Sequence, residues 1–248
     1  MTVEARPSRD ELATECVVTF DLFSALIDSH AGGSTAFSEL ARRNGWQVGG
    51  DALYETWDRA NKDSQREAQD VKSFAVHSRI AMNATVAAFG LVSDPLADTT
   101  WLLSTTPEWP LWPDTATGIA SISKRYNVGV LSNVDDDILS RTRVASLVSH
   151  DWALTSQRLG ACKPSAEIYQ RAQRQAGQRY VHVATSARDV KGALEAGIQV
   201  IRLRRPGHVL DPRGPTPTWQ ADSIAEVEAI LTELFHSQDH DGAPQLRR

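Results

Sequence analysis

Four groups of polar residues in this chain stand at or near the ends of short apolar segments: Asp21, Ser132-Asn133, Lys163 and Asp189. A carboxylate can attack an electrophilic atom, and an ammonium group can hold two carboxylates in charge balance. Hydroxyl and amide groups can bind an acidic substrate. Together, the four groups provide the nucleophile, the cation and the hydrogen-bonding groups that a substitution through an aspartyl ester needs. Singly, each is more common as a turn or helix-cap residue.

The segment from Cys16 to Phe20 predicts the strand that positions Asp21. Its residues are mostly apolar and partly β-branched without interruption, which is typical of a parallel strand buried on both faces. Asp21 then follows at the carboxyl end of the strand, where open α/β sheets bind their ligands. A carboxylate that loses water at such a place needs partners, because its desolvation is costly.

From residue 114 onward, strand-like and helix-like segments alternate, which predicts a doubly wound parallel sheet of the α/β class, with a Rossmann-like core. The predicted strands span 127–131, 152–155, 180–184 and 199–203. The predicted helices span 115–126, 137–145, 165–176, 189–196 and 223–235. Pro164 is expected in the first turn of the helix that follows Lys163. Since parallel strands bring their carboxyl ends to one edge, the four polar groups are expected to meet there.

A helical block interrupts this pattern directly after the first strand. Residues 35–90 show helical periodicity, residues 28–34 are rich in turn formers and predict a hinge, and residues 106–113 are rich in proline. Residues 1–15 are expected to form a loose arm or a short helix. The predicted domains are an α/β core of 1–28 and 111–236, an inserted all-α cap of 29–110, and a polar, disordered tail of 237–248.

The composition is that of a soluble globular protein. The 248 residues are 41% hydrophobic and 23% charged, and a formal net charge of −5 without a prominent basic cluster argues against nucleic acid as a partner. Two cysteines, Cys16 and Cys162, predict a reducing compartment and no disulfide framework. No apolar run reaches the roughly 20 residues of a membrane span, and no signal-peptide core is present. We expect a cytoplasmic protein with a small-molecule substrate and no membrane partner, whose exposed cap residues would allow a homodimer.

The order and spacing of the four polar groups resemble the motifs of the haloacid dehalogenase (HAD) superfamily of hydrolases. Asp21 stands in the place of the nucleophile, Ser132-Asn133 in the second motif, Lys163-Pro164 in the third and Asp189 in the fourth. The helical block is similar to the type-1 cap of that superfamily. The resemblance extends over residues 16–207, which is most of the chain.

Two departures separate the chain from the magnesium-dependent phosphatases of the superfamily. The resemblance implies a second aspartate two residues after the nucleophile in those phosphatases, and this chain has Phe23 at that position. They also carry an additional acid before the last aspartate, where this chain has Thr185. The 2-haloacid dehalogenase branch is similar to this chain in both respects. The resemblance therefore implies hydrolysis of a carbon–halogen bond without a cofactor.

The resemblance also implies a role for each site residue. Asp21 would displace halide from carbon. Ser132-Asn133 would bind the substrate carboxylate, Lys163 would balance the charge of the carboxylates, and Asp189 would help to activate the water that opens the ester. The remaining residues implied on the substrate side are Phe23, Ser186, Arg59 and Tyr169.

The chain departs from the dehalogenases as well. Ala25 replaces a threonine four places after the nucleophile, and Ser186 replaces an asparagine. In the cap, Trp57-Asp58-Arg59 resembles a Trp-Arg pair of the dehalogenases but is shifted in position. Arg59 can therefore bind halide only if the helix turns differently.

Two alternatives follow from these departures. One is a HAD phosphatase in which Mg²⁺ is held by Asp21, Asp189 and the backbone carbonyl of Phe23. The other is a repurposed, non-catalytic HAD fold that binds a small acid. Against the second stands the simultaneous presence of a lysine and two carboxylates, since buried charges are costly unless they are paired.

Overall fold

The computed structural model describes residues 16–68 and 72–241, and for residues 236–241 it describes the backbone alone. The predictions for residues 1–15 and for the end of the tail, 242–248, lie outside the described residues. The strands are β1 Val17–Phe20, β2 Asn127–Ser132, β3 Ala153–Thr155, β4 Tyr180–Ala184, β5 Gln199–Leu203 and β6 Trp219–Ala221. None of the described helices combines the length and apolar composition that a membrane crossing requires.

All six strands are parallel and lie in the order β3-β2-β1-β4-β5-β6, which confirms the doubly wound α/β sheet. Strand β1 lies at the centre, with Phe20 beside Val130 of β2 and Val183 of β4. The chain builds the sheet to one side through β2 and β3 and to the other through β4 to β6. The end of β1 is therefore the point at which the winding reverses, where open α/β sheets bind ligands.

The continuous apolar character of β1 follows from its central place. Val18 and Phe20 face one hydrophobic cluster of the core, whereas Val17 faces the other, and all three are buried. Strand β6 was not predicted, and β5 was taken as the last strand. That expectation was wrong because β6 is a three-residue edge strand in which Ala221 alone is fully buried, so it carries no periodic signal.

Four helices form the inserted cap: α1 Ser29–Asn44, α2 Gly50–Glu67, α3 Phe74–Ala88 and α4 Pro95–Ser104. The described part of the cap contains no strand. An isolated antiparallel bridge between Ile27 and Leu111 ties the two connections to the core together. The helical cap is thus confirmed, and the domain boundaries at 28/29 and 110/111 remain a prediction that this bridge supports.

The hinge expected at residues 28–34 is wrong, because α1 already begins at Ser29. Asp28 is its N-cap and accepts the Ala31 N–H at 3.0 Å. The two glycines of this turn serve packing: a Cβ on Gly32 would lie 2.5 Å from the Trp109 ring. A Cβ on Gly33 would lie 2.2 Å from a ring carbon of Tyr54. The glycines therefore let aromatic side chains approach the helix closely.

The core helices are α5 Thr115–Ile122, α6 Asp136–Arg141, α7 Ser156–Leu159, α8 Ala166–Ala176, α9 Ala187–Glu195 and α10 Ile224–Asp241. Pro164 lies outside α8, because Ser165 is the N-cap of that helix; the Lys163-Pro164 peptide bond is cis. Helix α6 ends before Thr142, whose hydroxyl donates to the Leu139 carbonyl at 2.8 Å. Helix α10 continues to Asp241, so the expectation of a disordered tail from residue 237 is wrong up to that point.

Candidate active site

Lys163 lies between the two carboxylates that the sequence placed at the sheet edge. Its Nζ is 2.7 Å from Asp21 Oδ1 and 2.6 Å from Asp189 Oδ2. The third ammonium hydrogen is donated to the Leu131 carbonyl at the end of β2, at 2.9 Å. All three donors of the ammonium are therefore used, which fixes the side chain between the carboxylates.

The Lys163 ammonium keeps the two carboxylates ionised, and the carboxylates keep Lys163 protonated. Burial would raise the pKa of Asp21, but the Lys163 ammonium outweighs it and holds that pKa below its usual range. Burial likewise opposes ionisation of Asp189, and Lys163 together with His182 brings its pKa far below the usual range. Burial would lower the pKa of Lys163, and the two carboxylates raise it instead. The site thus carries two anions and one cation.

Asp21 is held by residues on either side of the strand end. Its backbone N–H donates to the Val183 carbonyl at 3.0 Å, which continues the pairing of β1 with β4. The Ser24 hydroxyl donates to Oδ2, and the Ser132 hydroxyl lies 3.4 Å from Oδ1. Asp21 is 8% exposed and lines the cavity described below, so its carboxylate is fixed yet accessible.

Asp189 is held from behind by a buried polar network. Tyr169, in α8, donates its hydroxyl to Asp189 Oδ1 at 2.8 Å. His182, in β4, has its Nε2 3.2 Å from each carboxylate oxygen and its Nδ1 3.0 Å from the Thr19 hydroxyl. The Thr19 hydroxyl also contacts the Tyr180 hydroxyl at 2.8 Å. Tyr169 therefore contacts the site through Asp189, from outside the cavity.

His182 was missed by the sequence reasoning. Its one signal was a histidine inside the otherwise apolar segment Tyr180–Ala184, where a buried imidazole needs hydrogen-bond partners. Asp189 lies in the first turn of the helix that follows β4, whereas Thr19 comes from β1, and the sheet order brings it beside His182.

The Asn133 side chain is committed to protein partners. Its Oδ1 accepts the Lys163 N–H at 2.6 Å, and its Nδ2 donates to the Lys163 carbonyl and to Gln65 Oε1, both at 2.8 Å. In this arrangement Asn133 positions the backbone that carries Lys163. Its side chain would have to give up one of these bonds to contact a substrate.

A cavity of about 550 Å³ opens above Asp21 between the core and the cap. One wall is aromatic and consists of Phe23, Tyr54, Trp57, Phe74 and Trp109. The polar wall includes Ser132, Asn133, Lys163, Ser186, Asp189, Arg188, Lys62, Asp58, Arg59 and His208. Of the residues expected on the substrate side, Phe23, Ser186 and Arg59 thus border the cavity; the Ser186 hydroxyl caps α9, and Arg59 is exposed.

Asp135, which the sequence reasoning also missed, links the core to the cap beside this cavity. Its Oδ1 accepts the Phe74 N–H at 2.8 Å, and its Oδ2 accepts the Ala75 N–H at 3.1 Å. A carboxylate at the N-terminus of α3 satisfies unpaired N–H groups and the helix dipole. The Phe74 ring stacks on Phe23 with centroids 5.5 Å apart, so this contact fixes part of the aromatic wall.

The residues considered for Mg²⁺ do not fit that ion. The facing oxygens, Asp21 Oδ1 and Asp189 Oδ2, both accept from Lys163, and Asp189 Oδ1 accepts from Tyr169. Mg²⁺ needs near-octahedral oxygen coordination, whereas these oxygens already accept hydrogen bonds and the Lys163 ammonium between the two carboxylates would repel a second cation. In residues 16–68 and 72–241, no group of three His, Cys, Asp or Glu side chains is arranged to hold a metal ion.

Comparisons with known proteins bear on the fold of this chain. No family model matches the chain. A curated relative, (S)-2-haloacid dehalogenase 4A from Burkholderia cepacia, is 28% identical over 138 residues, which are 53% of this chain and 60% of the relative. The match thus spans less than two thirds of that relative's length.

Two solved structures resemble the chain over most of its length. A defluorinating L-2-haloacid dehalogenase has a TM-score of 0.74 and 22% identity, covering 88% of this chain and 95% of the other. The L-2-haloacid dehalogenase of Xanthobacter autotrophicus with chloropropionic acid covalently bound has a TM-score of 0.73 and 17% identity, covering 88% and 98%. The chain therefore has the fold of the haloacid dehalogenase superfamily, an α/β core with a helical cap, and its resemblance to the 2-haloacid dehalogenases is confirmed.

Proposed function

We propose that this protein is a hydrolase that removes halide from a small 2-halo acid through an aspartyl ester on Asp21. The observation that carries the proposal is the Asp21 carboxylate: it is kept ionised by Lys163 and borders a cavity large enough for a small molecule. A fixed carboxylate at the reversal point of a parallel sheet can attack a carbon atom held above it.

In the first step, an oxygen of Asp21 forms a bond to carbon 2 of the substrate, and the carbon–halogen bond breaks with its electron pair going to the halide. In the second step, water adds to the Cγ atom of the ester, and the bond between Cγ and the ester oxygen breaks. The products are a 2-hydroxy acid, halide and one proton, and the Asp21 carboxylate is regenerated.

Lys163 and Asp189 act at different stages of this sequence. Lys163 keeps Asp21 anionic before the attack. When the ester forms, Asp21 becomes neutral, and Asp189 is then the carboxylate that balances the charge of Lys163. Asp189 accepts a hydrogen bond from the attacking water and orients it. Its low pKa suits orientation better than strong base catalysis, because a weak base removes a proton poorly.

The substrate carboxylate is held on the Ser132 side of Asp21. The Ser132 hydroxyl lies at the end of β2, and its long 3.4 Å contact to Asp21 leaves it able to turn toward a bound acid. Asn133 supports the site through the Lys163 backbone, as described above. The aromatic wall excludes water from the reacting carbon.

The source of the product oxygen tests this proposal. With enzyme in excess over 2-chloropropionate in H₂¹⁸O, the first turnover should give unlabelled lactate, because the oxygen comes from Asp21. Repeated turnover should then place ¹⁸O in the peptide that contains Asp21, read by mass spectrometry. Labelled lactate in the first turnover would show direct attack by water and would rule out the ester.

The two alternative functions and the cellular location are weighed with this proposal. Mg²⁺-dependent phosphatase chemistry is disfavoured by the oxygens that Lys163 and Tyr169 occupy. A non-catalytic acid-binding fold is disfavoured by the complete charge arrangement around Lys163. We also propose a reducing, cytoplasmic location, because the chain has only two cysteines and they lie in different elements.

A homodimer through the cap is supported by Val92, which is 90% exposed, and Leu96, which is 60% exposed. Light scattering at micromolar concentration tests it, and a monomer would contradict it.

A further inference from the structure

Among the described residues, Arg188 is a cation on the cavity wall without a carboxylate partner. It lies in the first turn of α9, directly before Asp189, and reaches across to the cap helix α2. One of its terminal nitrogens donates to the Lys62 carbonyl at 2.9 Å and the other to Gln65 Oε1 at 3.1 Å. Both acceptors are neutral, and within residues 16–68 and 72–241 Arg188 forms no ion pair with a carboxylate.

An unpaired guanidinium that is half-buried is unusual, since buried charges are normally balanced. Arg188 uses two of its five N–H donors on the protein, which leaves donors for a planar anion. The two bonds that it does make fix the guanidinium on the cavity wall, so little conformational freedom would be lost on binding. Arg59, another guanidinium on this wall, is exposed.

Lys62 adds a second positive charge at the same place. Its ammonium pairs with Asp58 one helical turn away and lines the cavity. Burial and the Lys62 ammonium lower the pKa of His208, which enters the cavity from the loop after β5. The cavity therefore has a cationic lobe of Arg188 and Lys62, in which Asp58 balances the charge of Lys62 and Arg188 supplies the net positive charge. Lys163 adds none, because Asp21 and Asp189 balance its charge.

The volume of the cavity also exceeds what a minimal substrate needs. A cavity of about 550 Å³ lies within the roughly 300–1,000 Å³ that hold drug-sized ligands. A 2-halo acid of two or three carbons fills only a small part of such a space. A longer substrate would reach from Asp21 to the cationic lobe.

We propose that Arg188, assisted by Lys62, binds a second acidic group of the substrate, so that the preferred substrate is a 2-halo dicarboxylic acid. The proposal rests on the proposed function and deepens it. Ser132 holds the carboxylate next to the halogenated carbon, and Arg188 forms a two-point hydrogen bond with the distal carboxylate. Selectivity follows because a monoacid leaves the guanidinium unpaired.

The test compares 2-chlorobutanedioate with 2-chlorobutanoate, two acids of four carbons that differ in a distal carboxylate or methyl group. We expect the wild-type kcat/KM to favour the diacid at least tenfold. Arg188→Met should lower kcat/KM for the diacid by about 10- to 100-fold and leave the monoacid within threefold, as for loss of a charge-assisted pair. Arg188→Lys should restore part of the preference, and Lys62→Met should lower it.

Lys191→Met is the matched control, because Lys191 is exposed on the same helix and pairs with Glu195 outside the cavity. It should leave both substrates unchanged. Equal rates for the two acids in the wild type, or an equal loss for both in Arg188→Met, would overturn the proposal. An equal loss for both acids would mean that Arg188 binds the halide or the proximal carboxylate, or that it stabilises the fold.

Binding without turnover separates this proposal from the proposed function. In an Asp21→Asn background, calorimetry should detect butanedioate at a concentration at which butanoate does not bind, and Arg188→Met should remove that binding. If neither chloro acid releases halide but butanedioate binding still depends on Arg188, the dehalogenase function fails and the second anion site stands. If halide is released but butanedioate binding is indifferent to Arg188, the second anion site fails.

Discussion

His182 lies directly behind Asp189, with its Nε2 atom 3.2 Å from each oxygen of that carboxylate. Both residues are essentially inaccessible, with His182 at 0% and Asp189 at 2% exposure. The imidazole therefore helps Lys163 and Tyr169 to fix the orientation of Asp189. Asp189 can accept a hydrogen bond from water without turning away from the ester, which is the role that we propose for it.

Replacing His182 by Phe tests this positioning. The change removes a partner that lowers the pKa of Asp189, so the acid limb of the activity profile should move to higher pH. Loss of the buried hydrogen bond should reduce the free energy of unfolding by about 1–3 kcal/mol. The measurements are a pH–kcat profile and chemical denaturation. Thr19→Val is the control, because it removes the contact to Nδ1 and leaves the contact to Asp189.

Lys163→Met should change both activity and the sign of the pH dependence of stability. In the wild type, the lowered pKa values of Asp21 and Asp189 contribute stability above their usual pKa of 3.8. This stability is lost as the pH falls through the lower folded-state values. Without the ammonium, burial and mutual repulsion raise both pKa values. Stability should then increase as the pH is lowered toward them.

At neutral pH the same variant should be less stable by about 3–5 kcal/mol, because two buried carboxylates are left without their cation. Its activity profile should shift to higher pH. Denaturant titrations between pH 3 and pH 8 provide the readout. A variant whose stability still falls with falling pH, in parallel with the wild type, would contradict the central role of Lys163.

Asp21→Asn should abolish halide release, by a factor on the order of 10³–10⁶ typical for loss of a nucleophile. Its melting temperature should change much less than its activity, since an amide oxygen can still accept from Lys163 at 2.7 Å. Halide release is followed with an ion-selective electrode. Full activity in a folded Asp21→Asn protein would end the ester mechanism.

Asp135→Ala should loosen the cap. The change removes both acceptors from the first turn of α3, at a cost of about 0.5–2 kcal/mol. We expect a higher KM, because Phe74 and Phe23 lose their fixed stacking beside the cavity. Ser73→Ala is the matched control, since Ser73 caps the same helix through the Val76 N–H alone. An equal rise in KM in both variants would show a general effect of helix stability.

Chelation separates the two enzymatic alternatives. Treatment with a chelator should leave the turnover of short 2-halo acids within twofold, because displacement at a neutral carbon–halogen bond needs no metal to offset phosphate charge. Phosphate monoesters should be poor substrates with or without Mg²⁺. Brisk, Mg²⁺-dependent release of phosphate would contradict the dehalogenase proposal.

The sequence by itself determined the class of fold and the identity of the charged residues at its centre. The uninterrupted apolar segment before Asp21 predicts a strand covered on both faces, and its burial follows from hydrophobic pattern alone. Parallel strands share one carboxyl edge, so Asp21, Lys163 and Asp189 could be expected to meet. These conclusions depend on local pattern and on a general topological rule, both of which are readable along the chain.

Tertiary structure alone decided which other residues complete the site. His182 contacts Thr19 because β4 lies beside β1, and Asp135 contacts Phe74 because the cap lies against the core. Arg188 meets the Lys62 carbonyl across more than a hundred residues of chain. Such contacts carry no periodic signal, since each depends on the packing of whole elements against one another. The physical reason is that a polar side chain takes its role from its partners, and those partners are set by the fold.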